Sequence, residues 1–136
     1  MFSFKILMAD DDLEDQAIIK DTLSMLHAAN DICFVENGAA AMELLDTIHS
    51  KGELPCLIIL DLNMPKLNGT QTLQLLKGDD RFKSIPVVIY STSINPVEKE
   101  KCLSLGAHAY ITKPVSFTES LETAKKFLEF CQKEAV

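Results

Sequence analysis

The sequence predicts an α/β fold: one parallel, doubly wound sheet of five strands covered by helices on both faces. Three observations predict it. Short apolar runs rich in Ile, Val and Leu alternate with longer segments of helical periodicity along the whole chain. The runs are apolar without a break, as in strands buried on both sides, rather than alternating as they would in a sheet with one wet face. Each run also ends in polar, Gly or Pro residues, and strand–helix alternation of this kind demands right-handed crossovers between parallel strands.

The elements follow in order. Phe4–Ala9 reads as the first strand, and Leu13–Ala29 as a helix with Ile19, Leu23 and Leu26 at helical spacing. Ile32–Val35 is a short second strand, and Ala39–Ser50 a helix following Gly38. Cys56–Leu60 is the third strand, bounded downstream by the Pro65 segment, and Gly69–Lys77 the third helix. Val87–Tyr90 is the fourth strand, and Val97–Leu105 a helix stopped by Gly106. Ala109–Thr112 is the fifth strand, ending before Lys113-Pro114, and Phe117–Lys133 the last helix. On that helix Phe117, Leu121, Ala124, Leu128 and Cys131 form a narrow stripe expected to face the sheet, with Phe127 at its edge. Phe130 falls outside it, and reads either as a helix end packed under its own tail or as a partner or dimer surface.

At 136 residues the chain reads as one domain, long enough to bury roughly 70% of its unfolded surface. No repeat, low-complexity segment or linker interrupts it, and the last helix leaves no room for an output domain. The net charge of −7 and the single arginine, Arg81, argue against nucleic-acid binding, which needs a basic face. Cys33, Cys56, Cys102 and Cys131 form no CxxC pair and have apolar neighbours, so they read as buried thiols in a reducing compartment. With no leader-like start and no apolar stretch near 18 residues, the expectation is a soluble, cytoplasmic protein without a membrane partner.

Because the strands are parallel, their carboxyl ends share one edge, where open α/β sheets place ligands. The first strand brings Asp10 and Asp11 there, the third Asp61, the fourth Ser91 and the fifth Lys113. Asp12 precedes a helix and has Asp15 three residues on, which reads as a helix cap in a variant of the capping box. Clustered carboxylates repel one another, and a hard divalent cation such as Mg²⁺ resolves that repulsion. With the cation bound, Asp61 can act as a nucleophile toward a phosphoryl group, with Lys113 adding positive charge and the Ser91 hydroxyl a hydrogen bond.

The order Asp10-Asp11, Asp61-Leu62-Asn63-Met64-Pro65 with Gly69, Ser91-Thr92 and Lys113-Pro114 resembles the receiver domains of two-component response regulators over essentially the whole chain. The resemblance implies a CheY-like, flavodoxin-like (βα)5 fold with strand order 2-1-3-4-5. It implies that Asp61 accepts phosphate from the phosphohistidine of a sensor histidine kinase. It implies that Asp11, Asp61 and the Asn63 carbonyl hold Mg²⁺, with Asp10 helping through water. Ser91 and Tyr110 would be the switch pair, Lys113 the phosphate-binding lysine, and Pro114 the site of a cis peptide bond. Such a protein catalyses only its own phosphorylation and dephosphorylation. The long stretch Lys77–Pro86 and the run Tyr90-Ser91-Thr92-Ser93 are similar to stand-alone receivers associated with bacterial phytochrome kinases.

Two other classes fit less well. A metal-dependent phosphatase with an Asp nucleophile would want a carboxylate two residues on, where Asn63 stands, and a substrate cap. A flavodoxin-like cofactor binder would want a Gly/Ser/Thr-rich loop after the first strand, where three aspartates stand. The face formed by the fourth helix, fifth strand and last helix is the expected output surface and a candidate homodimer contact, since signal must leave through the element that moves.

Overall fold

The computed structural model describes residues 4–134. Its strands are β1 (Ile6–Ala9), β2 (Ile32–Val35), β3 (Leu57–Leu60), β4 (Val87–Ser91) and β5 (Ala109–Thr112). Its helices are α1 (Leu13–Met25), α2 (Gly38–His49), α3 (Gly69–Lys77), α4 (Pro96–Ser104) and α5 (Phe117–Glu134), with one 3-10 turn at Ala29–Asp31. The strands pair in parallel in the order β2-β1-β3-β4-β5, as expected.

Strand periodicity splits the core into two layers. Ile6 and Met8 of β1, Leu57 and Ile59 of β3, and Val88 and Tyr90 of β4 pack against α1 and α5. Leu7, Ala9, Ile58, Leu60, Val87 and Ile89 point the other way, against α2, α3 and one buried residue of α4, Cys102. The helices start where the sequence supplies caps: Asp12, Asn37, Asn68 and Asn95 each accept a first-turn N–H through the side chain. Helix α1 stops at Met25, four residues short of the expected Ala29, because His27 turns into the left-handed region at φ 60°. Among the described residues, no helix is long and apolar enough to cross a membrane.

Two expectations are corrected here. The thiol reading fails for one cysteine pair: Cys56, just before β3, and Cys131, near the end of α5, form a disulfide. They are 75 residues apart, but the fold brings their Cα atoms to 5.2 Å, inside the range a disulfide needs. Cys33 and Cys102 remain free thiols, and burial raises the pKa of each. The α5 stripe is also rotated. Ser120, Thr123, Ala124, Phe127 and Cys131 are buried, whereas Phe117 is 55% exposed. Helix α5 packs against α1 as well as the sheet, so its buried arc is wider and recentred on Phe127, whose ring meets Tyr90 edge-on at 5.6 Å. Phe130 is half-buried, packed against the α1/α5 layer and edge-on to His108 at 5.0 Å.

Candidate functional site

The sheet register builds the site. Ala9 lies beside Leu60, so the next residues, Asp10 and Asp61, leave adjacent strands side by side. Ser91 lies beside Thr112, which sets Lys113 just beyond Ser91. The ladder runs one residue past the strands: Asp10 N–H donates to Val35, Asp61 N–H to Ala9, and Lys113 N–H to Ser91. Strand hydrogen bonds thus fix the backbone beneath each polar side chain.

Lys113 Nζ lies 2.9 Å from Asp10 Oδ2, 2.6 Å from Asp15 Oδ2 and 3.6 Å from Asp61 Oδ2. Asp10 is fully buried, and the Lys113 and Asp61 side chains are 8% and 9% exposed. Asp10, Asp11 and Asp61 each place a carboxylate oxygen within 4.8 Å of the others, with Asp11 exposed to solvent. One lysine therefore serves three carboxylates, with Asp11 close by and unpaired with it.

Burial first, and that imbalance second, set the titration of the site. Burial raises the Asp10 carboxyl to about 6, against the lowering pull of the Asp12 amide and Lys113. Burial also raises Asp61, despite Lys113. Burial alone would lower Lys113, but Asp15 and Asp10 outweigh it and hold the ammonium charged well above its usual range. The shifts of the two partners are compatible, since the cation has carboxylates in excess while each carboxylate has only a share of a cation. Asp10 Oδ2 is buried and has no partner in hydrogen-bond geometry, although the Lys113 ammonium is 2.9 Å away. Three close oxygen donors and a buried, underserved carboxylate oxygen suit a hard divalent cation.

Asp12 does cap α1, accepting from Glu14 and Asp15 N–H. The expected capping box does not form, because the Asp15 carboxylate turns to Lys113 instead. Asp15 is thus a site residue that sequence reading missed. Its signal was its place in the first turn of the helix leaving the acidic strand end. Gln16 was missed too; its side chain donates to the Asp10 carbonyl at 2.7 Å.

After Asp61 the chain turns sharply. Asn63 N–H faces Asp61 Oδ1 at 3.5 Å, Leu62 and Met64 are buried, and Lys66 takes φ 63°. The turn closes on Gly69, where a Cβ would lie 2.3 Å from the Asp61 carbonyl oxygen. Only glycine lets α3 start this close to the strand end. On the other side, Ser91 is fully buried and its Oγ accepts from Ser93 N–H at 3.1 Å. The half-buried Tyr110 donates its hydroxyl to the Ser93 carbonyl at 2.8 Å, and Ser93 Oγ bonds the Glu98 carboxylate. Ser91 and Tyr110 are therefore linked through one residue, Ser93.

Pro114 departs from expectation. Among the described residues no peptide bond is cis, so the Lys113–Pro114 bond is trans. An X-Pro bond prefers one isomer by only about 0.5–1 kcal/mol, so the residue pair alone does not fix the isomer; here Lys113 meets its carboxylates with the following bond trans.

Five parallel strands in this order, with acidic, hydroxyl and lysine side chains converging on their carboxyl edge, define a doubly wound domain with a cation-suited acidic site where this class of sheet places its ligands. A family model of the response regulator receiver domain matches residues 6–125, and the chain belongs to that family. It is 30% identical over 129 residues to the probable methanogenesis regulatory protein FilR2 of Methanothrix harundinacea, covering 93% of this chain and 83% of that protein. It is 36% identical over 110 residues to the chemotaxis protein CheY1 of Helicobacter pylori, covering 81% and 85%. The crystal structure of a phosphorylated cyanobacterial phytochrome response regulator, RcpA, superimposes with a TM-score of 0.85 at 31% identity, covering 99% and 98%. The chain is thus a CheY-like receiver of two-component phosphorelay signalling. Nothing in these comparisons favours the phosphatase or the cofactor binder.

Proposed function

We propose that Asp61 is the phosphoacceptor and that the donor is a phosphohistidine on a sensor histidine kinase. The carrying observation is the position of the Asp61 carboxylate: at the mouth of the central strand, 3.6 Å from Lys113 Nζ and grouped with Asp10 and Asp11. A carboxylate oxygen of Asp61 attacks phosphorus and the histidine nitrogen leaves. Lys113, just past the fifth strand, offsets charge on the phosphoryl oxygens, and the Ser91 hydroxyl, whose oxygen accepts from Ser93 N–H, can donate to one of them. Asp11, Asp61 and the Asn63 carbonyl would hold Mg²⁺, with Asp10 behind them through water. When bound, that cation neutralises charge between the acidic edge and an incoming phosphoryl group.

Ser91 moving toward the phosphoryl group would give up its bond from Ser93 and disturb the Tyr110 hydroxyl on the same residue. This population shift would alter the face made by α4, β5 and α5. On that face Ile94, at 82% exposure, and Val97 are open to partners, and Phe130 is half-buried. We propose it as the output surface and as a homodimer contact, in a cytoplasmic protein. Likeness to a phytochrome response regulator supports a phytochrome-type kinase as donor.

The test is direct. Treat the protein with a small phosphodonor and Mg²⁺, and map the acyl-phosphate by mass spectrometry. Label is expected on Asp61 and lost in Asp61→Asn; equal labelling of that variant would reject the assignment. Sedimentation of wild type and Phe130→Ala, with and without a phosphoryl mimic, tests the dimer, and a wild type monomeric in both states at high concentration rejects it.

A further inference from the structure

The Cys56–Cys131 disulfide lies at the opposite edge of the sheet from the acidic site and borders a cavity of about 470 Å³. That volume is within the ~300–1,000 Å³ of small-molecule sites. Lys5, His27, Asp31 and Leu128 line it together with the two cysteines. The lining offers an ammonium, an imidazole and a carboxylate beside the sulfurs. Cys56 is partly exposed, whereas Cys131 is 6% exposed.

We infer that this cavity is a thiol-exchange site, at which a small carboxylate-bearing thiol reacts with the Cys56 sulfur and opens the cross-link. Three observations carry it beyond a structural staple. A chain of this size with two continuous core layers does not need a disulfide to fold. In a cytoplasmic signalling protein, the reading on which this inference rests, persistent disulfides are rare and those found are mostly catalytic or redox-sensing. The reduced form is also provided for. The Lys5 carbonyl oxygen lies 3.2 Å from Cys56 Sγ and 3.7 Å from Cys131 Sγ. In the disulfide these are contacts without a proton; after reduction the same oxygen can accept from either thiol.

The chemistry balances with the thiol as reductant. A thiolate attacks Cys56 Sγ, the Cys56–Cys131 bond breaks, and its electron pair leaves on Cys131 Sγ, which takes a proton. A second thiolate attacks the small-molecule sulfur of the mixed disulfide and releases Cys56, which is protonated in turn. Two small thiols become one small disulfide, and the protein disulfide becomes two thiols. The product frees the end of α5 from the start of β3.

The test uses the oxidised full-length chain, with glutathione and the uncharged 2-mercaptoethanol as probes. The reaction is quenched by alkylation and mapped by peptide mass spectrometry. The first adduct is expected on Cys56, with Cys102 unmodified. Lys5→Glu should slow the glutathione reaction about fivefold or more, the order of one contact charge pair in water, and leave 2-mercaptoethanol unaffected. His27→Ala supplies a second variant at an exposed position and should slow glutathione selectively as well. A cross-link that survives glutathione at millimolar excess overturns the proposal. So does a first adduct on Cys131 or Cys33, or an equal effect of both variants on the two thiols. Asp61 labelling on the same samples reports the receiver reading separately, so either idea can fail alone.

Discussion

The two edges of the sheet are built on opposite plans. At the carboxyl edge, loops hold buried carboxylates that share one lysine, and Asp10 Oδ2 lacks a hydrogen bond. At the amino edge, a covalent link ties the start of β3 to the end of α5. The same strand, β3, leaves the locked edge at Leu57 and reaches the charged edge at Asp61. The difference teaches how a small domain can keep unfavourable charge poised for a ligand. The instability is confined to one edge, and packing plus a cross-link at the other hold the strands in register.

The sharpest way to break this contrast is to cut the lock. Cys131→Ser removes a bridge spanning 75 residues and is expected to lower unfolding free energy by about 2–4 kcal/mol against the oxidised wild type. Urea unfolding of both proteins, with and without reductant, measures it. The variant and the reduced wild type should coincide. A variant as stable as the oxidised protein would mean that the amino edge is held by packing alone.

The next perturbation relieves the charged edge. A carboxyl whose folded pKa is raised binds its proton more tightly when folded. Its favourable contribution is therefore complete below the unfolded value of roughly 3.9 and lost as pH rises through the folded value of about 6. Asp10 is fully buried, so solvent does little to screen its charge. Metal-free Asp10→Asn should be more stable than wild type by about 2–3 kcal/mol at pH 7.5, and by nothing near pH 4. Chelated unfolding curves at both pH values decide it. A loss of stability at pH 7.5 would show that the Asp10–Lys113 ion pair outweighs desolvation.

How much of this contrast the sequence revealed depends on how local each feature is. β2, α3 and β5 have the expected bounds, because turn and cap residues flank them within a few positions. Asp10, Asp11, Asp61, Ser91 and Lys113 converge because parallel strands bring their carboxyl ends together, which the alternation of elements already implied. Features set by tertiary approach were not legible. Cys56 and Cys131 meet only once α5 has docked, and nothing in their apolar neighbours marks a pairing. Asp15 could equally have closed a capping box, and only the arrival of Lys113 from across the sheet decides its partner. The burial of Phe127 over Phe117 follows from α1 packing on α5, which helical periodicity alone does not contain.

A smaller effect separates ligand from cap within the acidic triplet. Mg²⁺ at 100 times its Kd should stabilise wild type by about 2.7 kcal/mol. Asp11→Asn should abolish most of that gain, with little change in the metal-free protein, because Asp11 is exposed. Asp12→Ala should keep the gain but cost about 1 kcal/mol throughout, since its side chain caps α1 through Glu14 and Asp15. Thermal melts with and without Mg²⁺ give both numbers, and equal metal dependence in the two variants would sink the distinction.

The smallest expected effect tests whether the charged edge is wired to the output face. Tyr110 donates its hydroxyl to the Ser93 carbonyl, and Ser93 N–H donates to Ser91 Oγ, so one loop residue carries both contacts. Tyr110→Phe keeps the ring and deletes the donor. The orphaned carbonyl is on a half-buried loop residue that water can reach, so the cost should be about 0.5–1.5 kcal/mol. Asp61 should still be phosphorylated, because the hydroxyl bonds Ser93 and not the carboxylates. What should change is the response. In wild type, amide shifts of residues 91–95 and of α4 should move together on phosphorylation, as Ser91 turns to the phosphoryl group and Ser93 is released. In Tyr110→Phe the unphosphorylated shifts at Ser93 should already lie part-way toward the phosphorylated position, because one of the two contacts on that residue is gone. If they stay at the wild-type position and the full phosphorylation response survives, Tyr110 only packs on this face, and the charged edge reports its state through another residue.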